Sequence, residues 1–294
     1  MAFCTKNIAI LLVDVSKSSV LLCIFVKIVE NMNPNLLNFL EKDVLKNIVL
    51  LKMLHSYGDQ IETHFQQVDG SSAVLLLLPT HAFYYDAQTY PQTKFVVLFS
   101  TDNLSANLGL LDAIPQDCNL VFKLMDADVK QAVASRFPLR RVTSFLSYTS
   151  LPDMDFALDP EVVVSEQADA DCLPIFDAQG HPTTTVQKQF ANGEAINFVL
   201  KRAGQPISAC FTYRNYEPVW EIGGVWSDPQ ARRSGFARRV VSSALVTLAR
   251  QNRIPRYQVH EANLPSIHLA EALGLTRFVT LEHFLYESPT SSLQ

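Results

Sequence analysis

Apolar residues along the chain recur with two alternating periods. Between Pro34 and Gly58, Leu36, Leu37, Leu40, Val44, Ile48, Leu51 and Leu54 follow the period of a helix with one buried face. Short apolar or alternating runs at 63–67, 73–78 and 95–99, separated by Gly, Pro and Asp-rich turns, predict strands. Residues 104–113 and 128–136 read as helices, 120–124 and 141–148 as strands. The stretch 150–160 carries two prolines and three acids without periodicity, which places a linker at 151–160. Beyond it the pattern predicts a strand at 162–164, irregular or helical chain to about 191, and strands at 196–202 and 206–214. Ala203-Gly204-Gln205-Pro206 joins the last two as a hairpin. A strand at 219–226, a helix at 237–251, a strand at 256–260, a helix at 264–273 and a strand around 280–286 complete the chain. The class is α/β, with strands of a mixed sheet interleaved with helices.

The helix at 237–251 is the clearest of these. Ala237, Val240, Val241, Ala244, Leu245 and Leu248 fall at i, i+3, i+4, i+7, i+8 and i+11, while Arg238, Arg239, Ser242 and Ser243 lie between them and are expected to face solvent. Immediately before it, the apolar strand ends in a basic turn containing a glycine, Arg232-Arg233-Ser234-Gly235-Phe236-Ala237. The first amides of a helix have no intrahelical acceptor, and the helix dipole puts partial positive charge there. This turn therefore has the makings of a phosphate cradle, with Gly235 allowing close approach of the backbone.

Bulk properties narrow the field of functions. At 294 residues, two units of roughly 130–150 residues are expected: 32–150 and 161–294. The first 31 residues form an apolar extension in two pieces, 8–13 and 20–29, broken by Asp14, Lys17 and Lys27. Neither piece reaches the ~20 residues that span a bilayer, so no membrane partner is expected. A hairpin, an edge extension, an upstream addition and a leader all remain open for this segment. A net charge of −5 and a pI near 5.8 argue against nucleic-acid binding; the arginines at 232, 233, 238 and 239 suit one small polyanion. Five scattered cysteines without a C-x-x-C pair read as reduced thiols in a cytoplasmic protein without structural zinc.

The order of elements in the second unit, with a phosphate turn after its fourth strand, resembles the GNAT superfamily of acyl-CoA-dependent N-acyltransferases. The family's R/Q-x-x-G-x-G/A turn stands as Arg232 to Ala237, preceded by Pro229, and its later Asn-x-x-Ala/Ser pattern stands as Asn263-Leu264-Pro265-Ser266, followed by Leu273-Gly274-Leu275. The likeness covers about residues 160–287. It implies a GNAT fold for 161–294 and a degenerate copy for 32–150, as in the glycine N-acyltransferase-like group with tandem halves. The first unit has no R-x-x-G-x-G/A turn, so it is expected to bind no coenzyme A and to shape the acceptor site or the junction between halves.

The resemblance further implies that acetyl-CoA, or a close acyl-CoA, lies between splayed fourth and fifth strands. Backbone amides of Arg233, Ser234, Gly235, Phe236 and Ala237 would hold its pyrophosphate beside Arg232. Main-chain groups of Val225, Trp226 and Ser227 would pair with the pantetheine arm, and Asn263 and Ser266 would touch the cofactor further along. Gly223 and Gly224, inside a strand, predict a bulge and close approach of a ligand.

Amide formation needs a group that takes a proton from the attacking amine and a donor for the developing oxyanion. Glu221 is the candidate base, and an amide near Val225 the candidate donor; the alternative for Glu221 is an ion-paired strand residue. Many relatives carry a tyrosine four residues after the Ala/Ser of the later motif, but this chain has Ala270. The general acid is thus unassigned among His260, His268 and Tyr286, and a thiolate, with an ordinary thiol pKa of ~8.5, leaves without one. No G-x-S-x-G elbow, phosphate loop of the GKS/T type or H-E-x-x-H helix is present. His260 and His268 are poorly spaced for a metal. The expected activity is N-acetyl transfer to a primary amine, on a small molecule or a protein. An acyl-CoA-binding sensor or interaction module without catalysis is the alternative that Ala270 raises.

Overall fold

The computed structural model describes residues 33–151 and 156–289. The N-terminal extension at 1–31 and most of the proline-bearing half of the expected linker lie outside these residues. The first helical period is carried by two helices, α1 (Pro34–Glu41) and α2 (Ile48–Tyr57). The break has a local cause: Asp43 Oδ1 accepts from the Lys46 amide at 2.9 Å, and buried Asn47 donates to the Leu40 carbonyl at 2.9 Å. Such side-chain bonds compete with a continuous helix. The turn between them stays helix-like, so Leu40, Ile48, Leu51 and Leu54 still meet in one core.

Next come β1 (Glu62–Val68), β2 (Ser71–Pro79), the short helix α3 (Tyr84–Thr89), and β3 (Phe95–Thr101). α4 (Leu104–Asn107) runs on as a 3₁₀ segment to Ala113, with Gly109 inside it, where one uniform helix was expected. β4 (Leu120–Leu124), α5 (Ala127–Ala134) and β5 (Arg140–Thr149) close the first half. The second half consists of β6 (Val162–Ser165), α6 (Leu173–Asp177), α7 (Thr183–Ala191), β7 (Ala195–Arg202), β8 (Gln205–Tyr216), β9 (Val219–Ser227), α8 (Phe236–Arg250), β10 (Ile254–His260), α9 (Leu264–Ala272) and β11 (Thr276–Tyr286). The β7–β8 hairpin turns on Ala203 and Gly204, both at positive φ (48° and 80°), as a type I′ turn demands.

All eleven strands form one mixed sheet in the order β1-β2-β3-β4-β11-β5-β10-β9-β8-β7-β6. Two neighbouring pairs are parallel, β3 with β4 and β9 with β10; every other pair is antiparallel. The halves therefore repeat one pattern, and they interlock. β5, the last strand of the first half, pairs with β10 (Tyr148 with Tyr257, Phe145 with His260), while β11 runs between β4 and β5. A continuous ladder across the chain's middle holds the two halves together as backbone hydrogen bonds, not merely as a packed interface.

Core packing on α8 agrees with its period, with two corrections on its polar face. Ser243, expected in solvent, is fully buried: its hydroxyl accepts from the Asp159 amide at 3.2 Å. The serine thus anchors the chain entering the second half. Arg239, also expected to be free, donates to both carboxylate oxygens of Asp159 at 2.6 and 2.9 Å and to Glu161. Asp159 and Glu161 draw it out of the basic cluster.

Candidate active site

β9 and β10 run side by side for only three register pairs, Val219 with Ile254, Trp220 with Pro255 and Glu221 with Arg256, and then diverge. A bulge on β9 contributes to this. Opposite β8, the register passes from Ala209–Trp226 to Phe211–Gly223, so β9 carries one residue more than its partner. Gly224 sits in that bulge at φ 61°. A Cβ on Gly224 would lie 2.6 Å from the Phe176 ring, and one on Gly223 would lie 3.0 Å from the His181 ring. Gly224 therefore needs glycine for space and for its backbone angle, while a side chain at 223 would be tight against His181.

Glu221 stands at the point of the fork. Its Oε2 accepts from Arg256 Nη1 at 2.6 Å and from Asn215 Nδ2 at 2.9 Å; its Oε1 accepts from the Gln258 amide at 3.0 Å. The last of these replaces a ladder bond that the divergence breaks. Glu221 and Arg256 are 4% and 3% exposed. Both readings of Glu221 meet here: it is ion-paired, and it also borders the open cleft.

That cleft, of about 220 Å³, is lined by Glu221, Gly223, Gly224, Val225, Asn263 and Ser266 together with His181, Tyr213, Tyr257 and His260. A hollow of about 510 Å³ in the first half, beside Pro79, His81 and Phe95, holds none of the expected site residues. Beyond Glu221 no register pair joins β9 to β10; of the residues expected along this edge Val225 lines the cleft, whereas Trp226 and Ser227 do not. The carbonyl of Trp226 accepts from Ser208 Oγ at 2.7 Å, which secures that stretch to β8.

β9 ends at Ser227, and a 3₁₀ turn over Pro229–Ala231, capped by Asp228, leads to the basic turn. Arg233 and Gly235 both take positive φ, 63° and 79°. Gly235 is the N-cap of α8 and makes no side-chain cap. Among the described residues, no acceptor within the chain takes the amides from Arg232 to Arg238. Arg232, Arg233, Ser234 and Gly235 are exposed, and Phe236 is buried beneath them with Arg202 stacked on its ring at 4.9 Å. A row of free amides, a positive helix end and two open arginines fit a diphosphate in charge and donor chemistry. Asn263 caps α9, its side chain accepting from the Ser266 amide at 3.3 Å, and both residues also line the cleft.

The other expected players are scattered. His260 borders the cleft, with Nε2 2.7 Å from Thr143 Oγ1. His268 is exposed on α9 and does not line the cleft. Tyr286 lies in the core of the first half, where its hydroxyl donates to the Gln116 carbonyl at 2.8 Å. Ala270 is fully buried in the core under α8.

Four residues at the site escaped sequence reasoning. His181, in the α6–α7 loop, accepts the Gly224 amide on Nε2 at 3.1 Å, and burial holds its pKa below the ordinary histidine value. Tyr213 lines the cleft from β8, its phenol pushed up by burial. Tyr257, on β10, has its phenol pushed up to about 12 by burial and bonds to the Ser266 side chain. Lys52 reaches across from α2 with Nζ 5.9 Å from both the Tyr213 and Phe83 ring centres. Burial lowers its pKa to about 8, with Arg256 and Lys123 adding to the effect and Glu221 opposing it. A lone lysine inside the apolar helix Ile-Val-Leu-Leu-Lys-Met-Leu was a readable signal for Lys52. His181 sits in an aperiodic loop and offered none.

Comparison with known proteins agrees with this geometry. The GNAT acetyltransferase family model matches residues 186–282. Similar folds include a GNAT-family acetyltransferase from Colwellia psychrerythraea, at TM-score 0.55 and 13% identity, with 80% of this chain and 89% of that one covered. A GCN5-related N-acetyltransferase from Kribbella flavida aligns at TM-score 0.53 and 12% identity, covering 81% and 94%. One from Sphaerobacter thermophilus aligns at 0.51 and 12%, covering 73% and 76%. No curated protein matches the chain by sequence.

Proposed function

Because the chain belongs to the GNAT superfamily through residues 186–282, we propose that it transfers an acyl group from acetyl-CoA, or a close acyl-CoA, to a primary amine. One observation carries the reading: a strand fork, bordered by a carboxylate, opens along the strand that leads through the basic turn into a helix start whose amides have no acceptor of their own. Bound there, the acyl-CoA supplies an activated acyl group. The amides of Arg233 to Ala237, with Arg232, hold its diphosphate. The unpaired edge of β9 from Val225 to Ser227 aligns its arm, and Asn263 and Ser266 border it on the α9 side.

Glu221 accepts the proton of the incoming amine. Each carboxylate oxygen offers two lone-pair sites; Oε2 serves Arg256 and Asn215, and Oε1 serves only the Gln258 amide, which leaves one site free toward the cleft. The Val225 amide, next after the bulge, is the oxyanion donor. Tyr257 is the one phenol on the β10 side of the cleft, and its high pKa keeps it a proton donor at neutral pH. The first half, lacking a phosphate turn, reaches the site only indirectly, through Lys52 beside the Tyr213 ring. Acceptors are small-molecule or protein amines.

Thiol release from acetyl-CoA with a panel of amines tests this. Wild type is expected to turn over, and Glu221→Gln to lose on the order of 100-fold or more in kcat. Binding of coenzyme A without turnover for any amine would select the sensor reading instead. Turnover unaffected by Glu221→Gln would keep the enzyme and remove this base.

A further inference from the structure

We propose that His181 is a positioning residue for acyl transfer: by capping the Gly224 amide it immobilises the β9 bulge, and so fixes the oxyanion donor that follows it. The inference rests on the acyltransferase reading for its function, and on the geometry alone for the clamp.

The argument begins with a conflict at the bulge. Packing against Phe176 requires glycine at 224, and the His181 ring leaves little room for a side chain at 223. Glycine is also the residue with the greatest backbone freedom. Yet a donor that stabilises developing charge works only when held within tenths of an ångström of its target. Two consecutive glycines beside such a donor need an external restraint. Inside the sheet the ladder with β8 is interrupted at this point, and the ladder with β10 has already ended at Glu221. The restraint that remains is the His181 ring, whose Nε2 takes the Gly224 amide at 3.1 Å. With that peptide plane fixed on one side of the Gly224 Cα, only φ and ψ of Gly224 itself are left to set the Val225 amide.

The ring is itself held. It stands edge-on to Phe211 at 5.1 Å and to Tyr213 at 6.2 Å between centres. It is carried by the loop between α6 and α7, which is fixed at both ends: the His181 amide donates to the Phe176 carbonyl at 3.0 Å, and the Thr183 amide to Asp177 Oδ1 at 2.9 Å. Acceptance from an amide assigns the tautomer: Nε2 carries the lone pair and Nδ1 the proton. Protonation of Nε2 turns the acceptor into a donor and breaks the clamp. The charges facing the ring are Glu221 on β9, which favours protonation, and Lys52 on α2, which opposes it; Arg256 on β10 is tied to Glu221, and Tyr213 on β8 is neutral. Burial outweighs them, so the imidazole is neutral at pH 7 and charges only below the ordinary histidine range.

Two variants separate the clamp from a merely structural role. His181→Gln keeps an acceptor that does not titrate; His181→Ala removes the acceptor. With acetyl-CoA and an amine that wild type uses, His181→Ala is expected to lower kcat about tenfold, the equivalent of one lost hydrogen bond, with KM for acetyl-CoA little changed. His181→Gln is expected to keep kcat within about threefold of wild type. Wild-type kcat in His181→Ala, or a loss as large in His181→Gln, overturns the proposal. The clamp is read without turnover by hydrogen exchange of the Gly224 amide in ¹⁵N NMR at pH 7: protected in wild type and in His181→Gln, and markedly less so in His181→Ala. A Gly224 amide equally protected in His181→Ala overturns the clamp whatever the enzyme does. A His181-dependent protection in a protein that acylates nothing keeps the clamp and removes the acyltransferase.

Discussion

Glu221 and Arg256 are the last register pair of the parallel strands β9 and β10, and their side chains meet at 2.6 Å where those strands part. Position in the ladder and the ion pair reinforce each other. Parallel neighbours place opposite residues on one face, so the charges meet there, and their burial makes each dependent on the other.

Removing one partner from such a pair leaves a buried charge, at about 3–5 kcal/mol. Arg256→Met is therefore expected to destabilise by that amount in urea unfolding. Glu221→Gln keeps an oxygen for the Gln258 amide but leaves the buried Arg256 guanidinium without its counter-charge, so it should cost a similar amount. A cost below about 1 kcal/mol for both variants would show that the pair is not what holds the fork.

Gly224 and Gly235 share a positive φ but differ in surroundings. A Cβ at 235 meets nothing within 4 Å, whereas one at 224 meets Phe176 at 2.6 Å. Gly235→Ala should cost only the backbone strain, about 1 kcal/mol. Gly224→Ala should cost about 3 kcal/mol or more, part of it recovered when Phe176 is also shortened. Equal costs at the two sites would contradict this packing.

The proposed coenzyme A site makes affinity depend on charge at the start of α8. Gly235→Asp sets a carboxylate against the diphosphate and is expected to weaken binding at least tenfold, ~1.4 kcal/mol, in calorimetry. Arg239→Ala is expected to leave affinity nearly unchanged, because that arginine is committed to Asp159 and Glu161. An Arg239→Ala variant that binds as poorly as Gly235→Asp would return it to the phosphate site.

Lys52 links stability to alkaline pH. Its folded pKa, about 8, lies below the ordinary lysine value. Between those two values the unfolded chain still carries the proton that the folded one has lost, so stability rises with pH across this window. Below pH 8 the buried ammonium costs stability in full. Lys52→Met should therefore stabilise the protein at pH 7 by on the order of 1–2 kcal/mol, allowing for the half-buried position, and flatten the slope between pH 8 and 10. An unchanged slope in the variant would assign the alkaline limb elsewhere.

Local patterns announced much of the second half. The 3.6-residue period of α8, the Ala203-Gly204 turn and the glycine bulge on β9 each depend on neighbours a few residues away, and the structure reproduces them. Ser243 and Arg239 were misread because the groups that capture them, Asp159 and Glu161, lie some 80 residues earlier. The helix around Tyr84 was not foreseen, since its six residues are too few to establish a period.

By itself, then, the sequence determined most of the sheet-and-helix succession, the basic turn with Gly235 at the start of α8 and the presence of a carboxylate at 221. Tertiary structure alone decided that β5 and β11 cross between the halves, that Arg256 answers Glu221, and that His181 and Lys52 reach the fork. The reason is physical. Backbone torsions and amphipathic periods are written in adjacent residues, whereas strand order and the partner of a buried charge are settled by which distant segments share a ladder and exclude water together.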